Sequence, residues 1–203
     1  YANHSTTGDP LRYGTSHGGA VSHSHHFKGH GVAKSAAERR PVVVWNVSKR
    51  CNLKCIHCYT NSDYSLAPDE LSFAEGQRLI DDLAAFGVPA LLFSGGEPLM
   101  RPDLFELAAY AVSKGLRPVL STNGTLIDER MAQRIKDTGF IYAGISLDGI
   151  AETNDHFRGV EGAFINAMNG FRNCVAVGQR VGLRLTLTRQ NVLDLDKIFD
   201  FLL

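Results

Sequence analysis

"VGLRLTLT", residues 181–188, decides between two architectures for this chain. Val181, Leu183, Leu185 and Leu187 alternate with Gly182, Arg184 and Thr186, the period-two pattern of a β-strand with one apolar face. The opposite face carries a charge. A parallel sheet covered by helices on both sides needs apolar residues on both faces. A polar inner face suits a barrel whose lumen holds a ligand, and Arg184 is then placed to meet a carboxylate. A buried arginine without such a partner would be costly.

Upstream of this stretch, strand and helix signals alternate. VVVWNV (42–47), ALLF (90–93), PVLS (118–121) and IYAGISLD (141–148) are short runs rich in apolar residues, each read as a strand. Between them lie helical patterns. SFAE (72–75) has the form of a capping box, with Ser72 as N-cap and Glu75 three residues on, and Gly87 can take the left-handed position after the helix. A second helix is expected over 103–115. A third runs over 128–139, with Asp128 as cap and Gly139 as stop, and a fourth over 162–177. Strands separated by helices of this length imply βαβ units and a parallel sheet. The stretch 41–203 is too short for a complete eight-fold barrel, which takes about 250 residues. The expectation is an α/β fold: a partial, open (β/α) barrel, truncated at its C-terminus inside a fifth helix.

Residues 1–40 differ from the rest. They are rich in Gly, Ser, His and Thr and hold His4, His17, His23, His25, His26 and His30, six of the eight histidines. Such a segment buries too little apolar surface to offset its ordering entropy. It reads as an N-terminal extension, either a flexible arm or a source of metal or haem-iron ligands.

The 203 residues are 44% hydrophobic and carry no net charge, which leaves no electrostatic footprint for nucleic acid or an anionic membrane. No apolar run is long enough to span a bilayer. Four cysteines in a chain of this size do not make a disulfide framework, so a reducing, cytoplasmic setting is expected.

Three of those cysteines fall within eight residues of the loop after the first strand: Cys51, Cys55 and Cys58, in the pattern Cys-x-x-x-Cys-x-x-Cys. In a parallel barrel that loop lies on the C-terminal face, where ligand chemistry collects. A structural zinc site would use the three thiolates with His57, although such sites usually pair two knuckles across a longer loop. A surface thiol cluster has no reason for this spacing. A four-iron cluster normally takes four thiolates, so three would leave one iron open to a substrate or cofactor.

In this spacing, between a first strand and a capped helix, Cys51, Cys55 and Cys58 resemble the radical S-adenosylmethionine enzymes. SGGEP (94–98), after the second strand, resembles a second motif of that family. It is no phosphate loop, since neither GxGxxG nor Gly-Lys-Ser/Thr is present. Glycines there permit close backbone approach to a ligand, and Glu97 offers a carboxylate to a cation. The resemblance implies a [4Fe–4S] cluster on the three cysteines and S-adenosylmethionine as cofactor. Gly95, Gly96, Glu97 and Pro98 would lie at its ammonium group, and His57, in the place of a usual aromatic residue, near its adenine. It further implies that Thr122 and Asn123, in STNG (121–124), face the active mouth. Ser146 and Asp148, in SLDG (146–149), would sit near the ribose and sulfonium, and Arg101 would be a substrate-facing arginine. The implied chemistry is one-electron cleavage of S-adenosylmethionine to a 5′-deoxyadenosyl radical, which takes a hydrogen atom from the substrate. An electron donor such as a flavodoxin or ferredoxin is implied, and no acid–base pair is needed.

A narrower resemblance concerns substrate. LRYG (11–14), with RRPVVVWNVSKRCNLKCIHCYTNS (39–62), is similar to the branch that edits side chains of iron tetrapyrroles in haem biosynthesis, including didecarboxysirohaem deacetylases and the makers of d1-type haem. A second branch with the CNLxCxHCY pattern modifies peptides. A third expectation is a truncated cluster-binding domain without turnover. The first reading implies loss or modification of acetate or propionate side chains, with Arg101 and Arg184 as carboxylate partners.

Overall fold

The computed structural model describes residues 40–65 and 69–202. The His-rich stretch and LRYG lie outside the described residues. Five strands, β1 (Val43–Ser48), β2 (Leu91–Gly95), β3 (Pro118–Thr122), β4 (Tyr142–Ser146) and β5 (Val181–Arg184), form one sheet in the order β1-β2-β3-β4-β5. Every neighbouring pair is parallel. The connecting helices are α1 (Phe73–Phe86), α2 (Leu104–Ser113), α3 (Glu129–Thr138), α4 (Glu152–Arg158) and α5 (Ala163–Ala176), with α6 (Leu195–Leu202) at the end. Strands that lie side by side in chain order are wound as in a barrel; a doubly wound sheet would reverse its order at a switch point.

Burial agrees with that winding. Trp45, Val47, Leu91, Phe93, Leu120 and Ile145 point to the helix side and share one core with Ile80 of α1, Leu107 of α2, Ile135 of α3 and Cys174 of α5. Each large aliphatic or aromatic side chain there stabilises the fold by about 1.5–3 kcal/mol by leaving water. The intervening residues face the other way: Val44 and Asn46 are exposed, and Leu92, Val119, Ser121 and Ser146 are half-buried. Among the described residues the helices cover one face, and the other face is left for the site.

The helix signals act locally as their residue types suggest. Ser72 and Glu75 close a reciprocal capping box, and Gly87 ends α1 at φ 83°, a left-handed conformation that glycine adopts without a Cβ penalty. The Asp128 side chain accepts from Met131 N at the start of α3. Two elements differ from expectation. The strand anticipated over 181–188 ends at Arg184. Beyond it, Thr186 N donates to Asp148 Oδ1 (2.9 Å), and the buried Asn191 donates to the carbonyls of Thr186 and Asp148 (2.9 Å each), so side chains replace the ladder. The polar helix α4 carries too few apolar residues to signal itself, and its N-cap Ala151 has positive φ and makes no side-chain cap hydrogen bond. All four cysteines are free thiols, and no helix among the described residues is long and apolar enough to cross a membrane.

Candidate active site at the strand ends

A cavity of about 460 Å³ opens at the C-terminal ends of the strands. Cys51, Cys55, His57 and Cys58 line it from the loop after β1, Gly95 and Gly96 from the end of β2, Thr122 and Asn123 from the end of β3, Ser146 from β4 and Arg184 from β5. Thus ten of the residues singled out in the sequence meet around one space. Glu97, Pro98, Arg101 and Asp148 are buried and do not line it.

The cysteine loop is held at both ends and in its middle. Cys51 N donates to Asp63 O (2.6 Å), and Lys54 N and Ile56 N donate to the carbonyls of Arg158 and Phe157 at the end of α4 (3.0 Å each). Leu53 packs with Cys51 and Ala163 in a small separate apolar cluster. Each thiol already has a donor or hydroxyl beside it. Leu53 N donates to Cys51 Sγ (3.4 Å), Arg158 Nη1 to Cys55 Sγ (3.7 Å) and Ser62 N to Cys58 Sγ (3.4 Å), with Thr60 Oγ1 3.3 Å from Cys58. Burial pushes the Cys51 thiol up to about 11, and repulsion from Glu97, Cys55 and Cys58 adds to the rise. Burial also raises Cys55, against the opposing charge and hydrogen bond of Arg158. At Cys58 burial is outweighed by the hydrogen bonds of Thr60 and Ser62, and the net shift is downward.

The two glycines of SGGEP serve backbone packing as much as ligand approach. Gly96 N donates to Ser48 O (2.7 Å) and Glu97 N to Arg50 O (2.8 Å). A Cβ on Gly95 or Gly96 would stand 2.3 Å from Ser48 O or Arg50 O, so only glycine lets β2 close on the root of the cysteine loop. The carboxylate of Glu97, anticipated at a ligand's ammonium group, is fully buried and turned to the protein. It accepts from Thr122 Oγ1 (2.7 Å), Asn123 N (2.8 Å) and Leu99 N (3.1 Å), and so fixes the end of β3 against β2. Burial raises its pKa, and those three donors oppose the rise. Pro98 is buried at the start of the short 3₁₀ turn Pro98–Met100. Asn123 presents its amide to the loop, donating to Asn52 Oδ1 (2.9 Å) and lying 4.0 Å from Cys51 Sγ.

Two further placements differ from those expected. Arg101, expected to face substrate, is a buried clamp. Its guanidinium pairs with Asp103 (2.7 and 3.1 Å) and donates to the carbonyls of Val47 (2.7 Å) and Leu71 (2.8 Å), over the Trp45 ring. With those donors occupied it has no fork to offer the cavity. Asp148, expected at a ribose, has no exposed surface: Oδ2 lies 3.0 Å from His57 Nε2 and 2.5 Å from Arg158 Nη2, and Oδ1 accepts from Thr186 N. Arg184 is where the alternation put it, half-buried in the lumen. It lies across Gly144, where a Cβ would come within 2.2 Å of Nε, and donates to Ser121 Oγ (2.7 Å). Sequence reasoning missed Arg158 and Ser121. Arg158 sits in a polar run that reads as a solvated face, and nothing local marks it.

The site suits an iron–sulfur cluster better than a lone zinc ion. Among the described residues no three His, Cys, Asp or Glu side chains converge on a single ion, as a Cys₃His zinc set would require. The thiols ring a cavity with room for a larger group, each beside a donor of the kind that stabilises cluster sulfur. Two buried polar atoms of cavity-lining residues, His57 Nδ1 and Arg158 Nε, have no hydrogen-bond partner among the described residues, as a ligand-binding wall would leave them.

Known proteins agree. The chain is 54% identical over 194 residues to Fe-coproporphyrin III synthase of Methanosarcina barkeri, covering 96% of this chain and 47% of that protein. It is 50% identical to pre-heme d1 synthase of Dinoroseobacter shibae (78% and 39% covered) and 38% identical to the mycofactocin maturase MftC of Mycobacterium tuberculosis (76% and 40%). The chain therefore spans about half the length of the first of these relatives and less of the others. In fold it is similar to native anSMEcpe with bound AdoMet (TM-score 0.66, 22% identity, 78% and 46% covered). It is also similar to Streptococcus suis SuiB bound to precursor peptide SuiA (TM-score 0.67, 21% identity, 78% and 35% covered). The profile of the radical SAM superfamily, whose cofactors are a [4Fe–4S] cluster and S-adenosylmethionine, matches residues 45–202. With that match over most of its length, the chain belongs to the radical SAM superfamily.

Proposed function

We propose that this chain is the radical domain of an enzyme that edits carboxylate side chains of an iron tetrapyrrole in haem biosynthesis. Cys51, Cys55 and Cys58 would hold the cluster. Gly95, Gly96, Thr122, Asn123, Ser146 and His57 would form the wall for S-adenosylmethionine, with Glu97, Pro98 and Asp148 supporting that wall from behind. When bound and reduced, these cofactors supply a radical able to take a hydrogen atom from an unactivated carbon. The protein's tasks are to orient, to exclude water and to hold charge. Arg184 would pair with a substrate carboxylate: its guanidinium stands in the lumen with only the Ser121 hydroxyl as hydrogen-bond partner among the described residues. The finer reading is removal of acetate groups from a sirohaem-derived macrocycle, with a flavodoxin or ferredoxin as electron donor, in the cytoplasm. The segment 1–40 would be an appendage to the 41–203 barrel.

The observation that carries this reading is the 54% identity to a protein named for an iron coproporphyrin, over nearly the whole chain. The similarity to a mycofactocin maturase keeps a peptide substrate as the rival. The test is anaerobic reconstitution of the full-length protein, then titration with didecarboxysirohaem and, separately, with candidate peptides. A shifted Soret band and tetrapyrrole-dependent 5′-deoxyadenosine are expected. Arg184→Met should weaken tetrapyrrole affinity about 10- to 150-fold, the loss of one charge-assisted contact of roughly 1.5–3 kcal/mol. Turnover with a peptide alone, and no spectral response to any tetrapyrrole, would overturn the reading.

A further inference from the structure

Arg158 is the one charged side chain that touches a cysteine of the loop among the described residues. Its guanidinium is nearly buried and bridges two groups: Nη1 donates to Cys55 Sγ (3.7 Å), and Nη2 meets Asp148 Oδ2 (2.5 Å). The backbone leaves it little freedom. Lys54 N and Ile56 N bond to the carbonyls of Arg158 and Phe157, and Gly159 packs so closely on Lys54 O that a Cβ would stand 2.3 Å away. Helix α4 thus aims one cation at one thiol. The other two thiols receive only neutral neighbours: a backbone N–H and the Asn123 amide at Cys51, a backbone N–H and a hydroxyl at Cys58.

We propose that Arg158 is a positioning residue that sets the reduction potential of the cluster through Cys55, with Asp148 as the counter-charge that limits its effect. This rests on the assignment of Cys55 as a cluster ligand. The reduced cluster holds one more electron than the oxidised one, so a neighbouring cation stabilises it more and raises the potential. A neighbouring anion lowers the potential. Hydrogen bonds to the sulfurs and local charge are the levers a protein has on such a group. Both charges are buried, where solvent screening is weak and a step of one charge counts for most. A buried guanidinium also needs anionic company to offset its desolvation. Asp148 supplies one partner and the Cys55 thiolate would supply the second. His57 faces the same carboxylate oxygen from the loop side and, among the described residues, completes the set of charged or titratable groups in contact with Asp148.

The two members of the pair predict shifts of opposite sign, which loss of structure would not produce. In reconstituted full-length protein without S-adenosylmethionine, the cluster is titrated with reductant and followed by electron paramagnetic resonance. Arg158→Gln should keep about four irons per chain yet show at least a tenfold lower ratio of reduced to oxidised cluster at the wild-type midpoint. For a one-electron couple that is about 59 mV downward. Asp148→Asn should shift the midpoint upward, and Arg158→Lys, which keeps the charge, should stay near the wild type. S-adenosylmethionine affinity is measured in parallel. Unmoved potentials in Arg158→Gln with lost cofactor or substrate binding would overturn the proposal and make Arg158 a ligand contact. Should Arg158→Gln not hold iron, Asp148→Asn and Arg158→Lys decide: no upward shift in the first, or a charge-independent change in the second, overturns it. Failure of Cys55→Ala to reduce iron content would instead overturn the ligand assignment beneath it.

Discussion

At the scale of single residues, the cysteines carry the clearest contrast. Three thiols within eight positions hold unequal environments, because Cys51 is buried while Cys58 sits among hydrogen bonds from Thr60 and Ser62. The thiolate is the reactive form. In iron-free protein, iodoacetamide at pH 8 should therefore label Cys58 first and Cys51 last. A thiol with a pKa of about 11 is only about 0.1% ionised at that pH. Lowering the pH toward 7 should slow Cys51 in proportion and Cys58 least, because its thiolate persists to lower pH. Peptide mapping by mass spectrometry checks the order, and equal rates would contradict these environments. Glu97 makes a second residue-scale case. Replacing it by Gln puts an amide where three donors need an acceptor, so at least one buried N–H or O–H is orphaned. That should cost about 1–3 kcal/mol in a denaturant titration and loosen Thr122 and Asn123 in the cavity wall. An unchanged midpoint would show that the carboxylate does not hold the end of β3. The spacing Cys-x-x-x-Cys-x-x-Cys and the string SGGEP were legible as sequence. The direction in which Glu97, Arg101 and Asp148 point was not, because a charged residue next to a motif reads the same whether it faces a ligand or a neighbouring carbonyl.

At the scale of elements, local chemistry and tertiary context divide the legibility between them. Helices α1 and α3 announce themselves because their caps are side-chain to backbone bonds within four residues. Helix α4 does not, since what holds it is distant: its terminal carbonyls bond to the cysteine loop about a hundred positions earlier. The same holds for β5, where the alternation continues to Leu187 but the side chains of Asp148 and Asn191 capture the backbone after Arg184. The joint between α4 and the loop is open to test at Gly159. Alanine there must accept φ 66°, costing about 1–2 kcal/mol, and must also displace Lys54 O. Gly159→Ala is expected to lower the melting temperature and to reduce the iron taken up on reconstitution, although it removes no ligand. Full iron content with an unchanged melting curve would separate α4 from the shape of the loop.

At the scale of the whole molecule, the one-sided covering of the sheet was readable from a single strand, because a charge in an alternating pattern excludes a second helical layer. The contact between Arg158 and Cys55 has a consequence in time as well as space. The two residues lie 103 positions apart in the chain. Synthesis proceeds from the N-terminus at about 5–20 residues per second, so the thiols leave the ribosome roughly 5–20 s before the helix that shapes their loop. Through that interval the three cysteines are present without the Arg158 guanidinium. The loop in its folded shape, with Arg158 against Cys55, can exist only once β4 and α4 have been made.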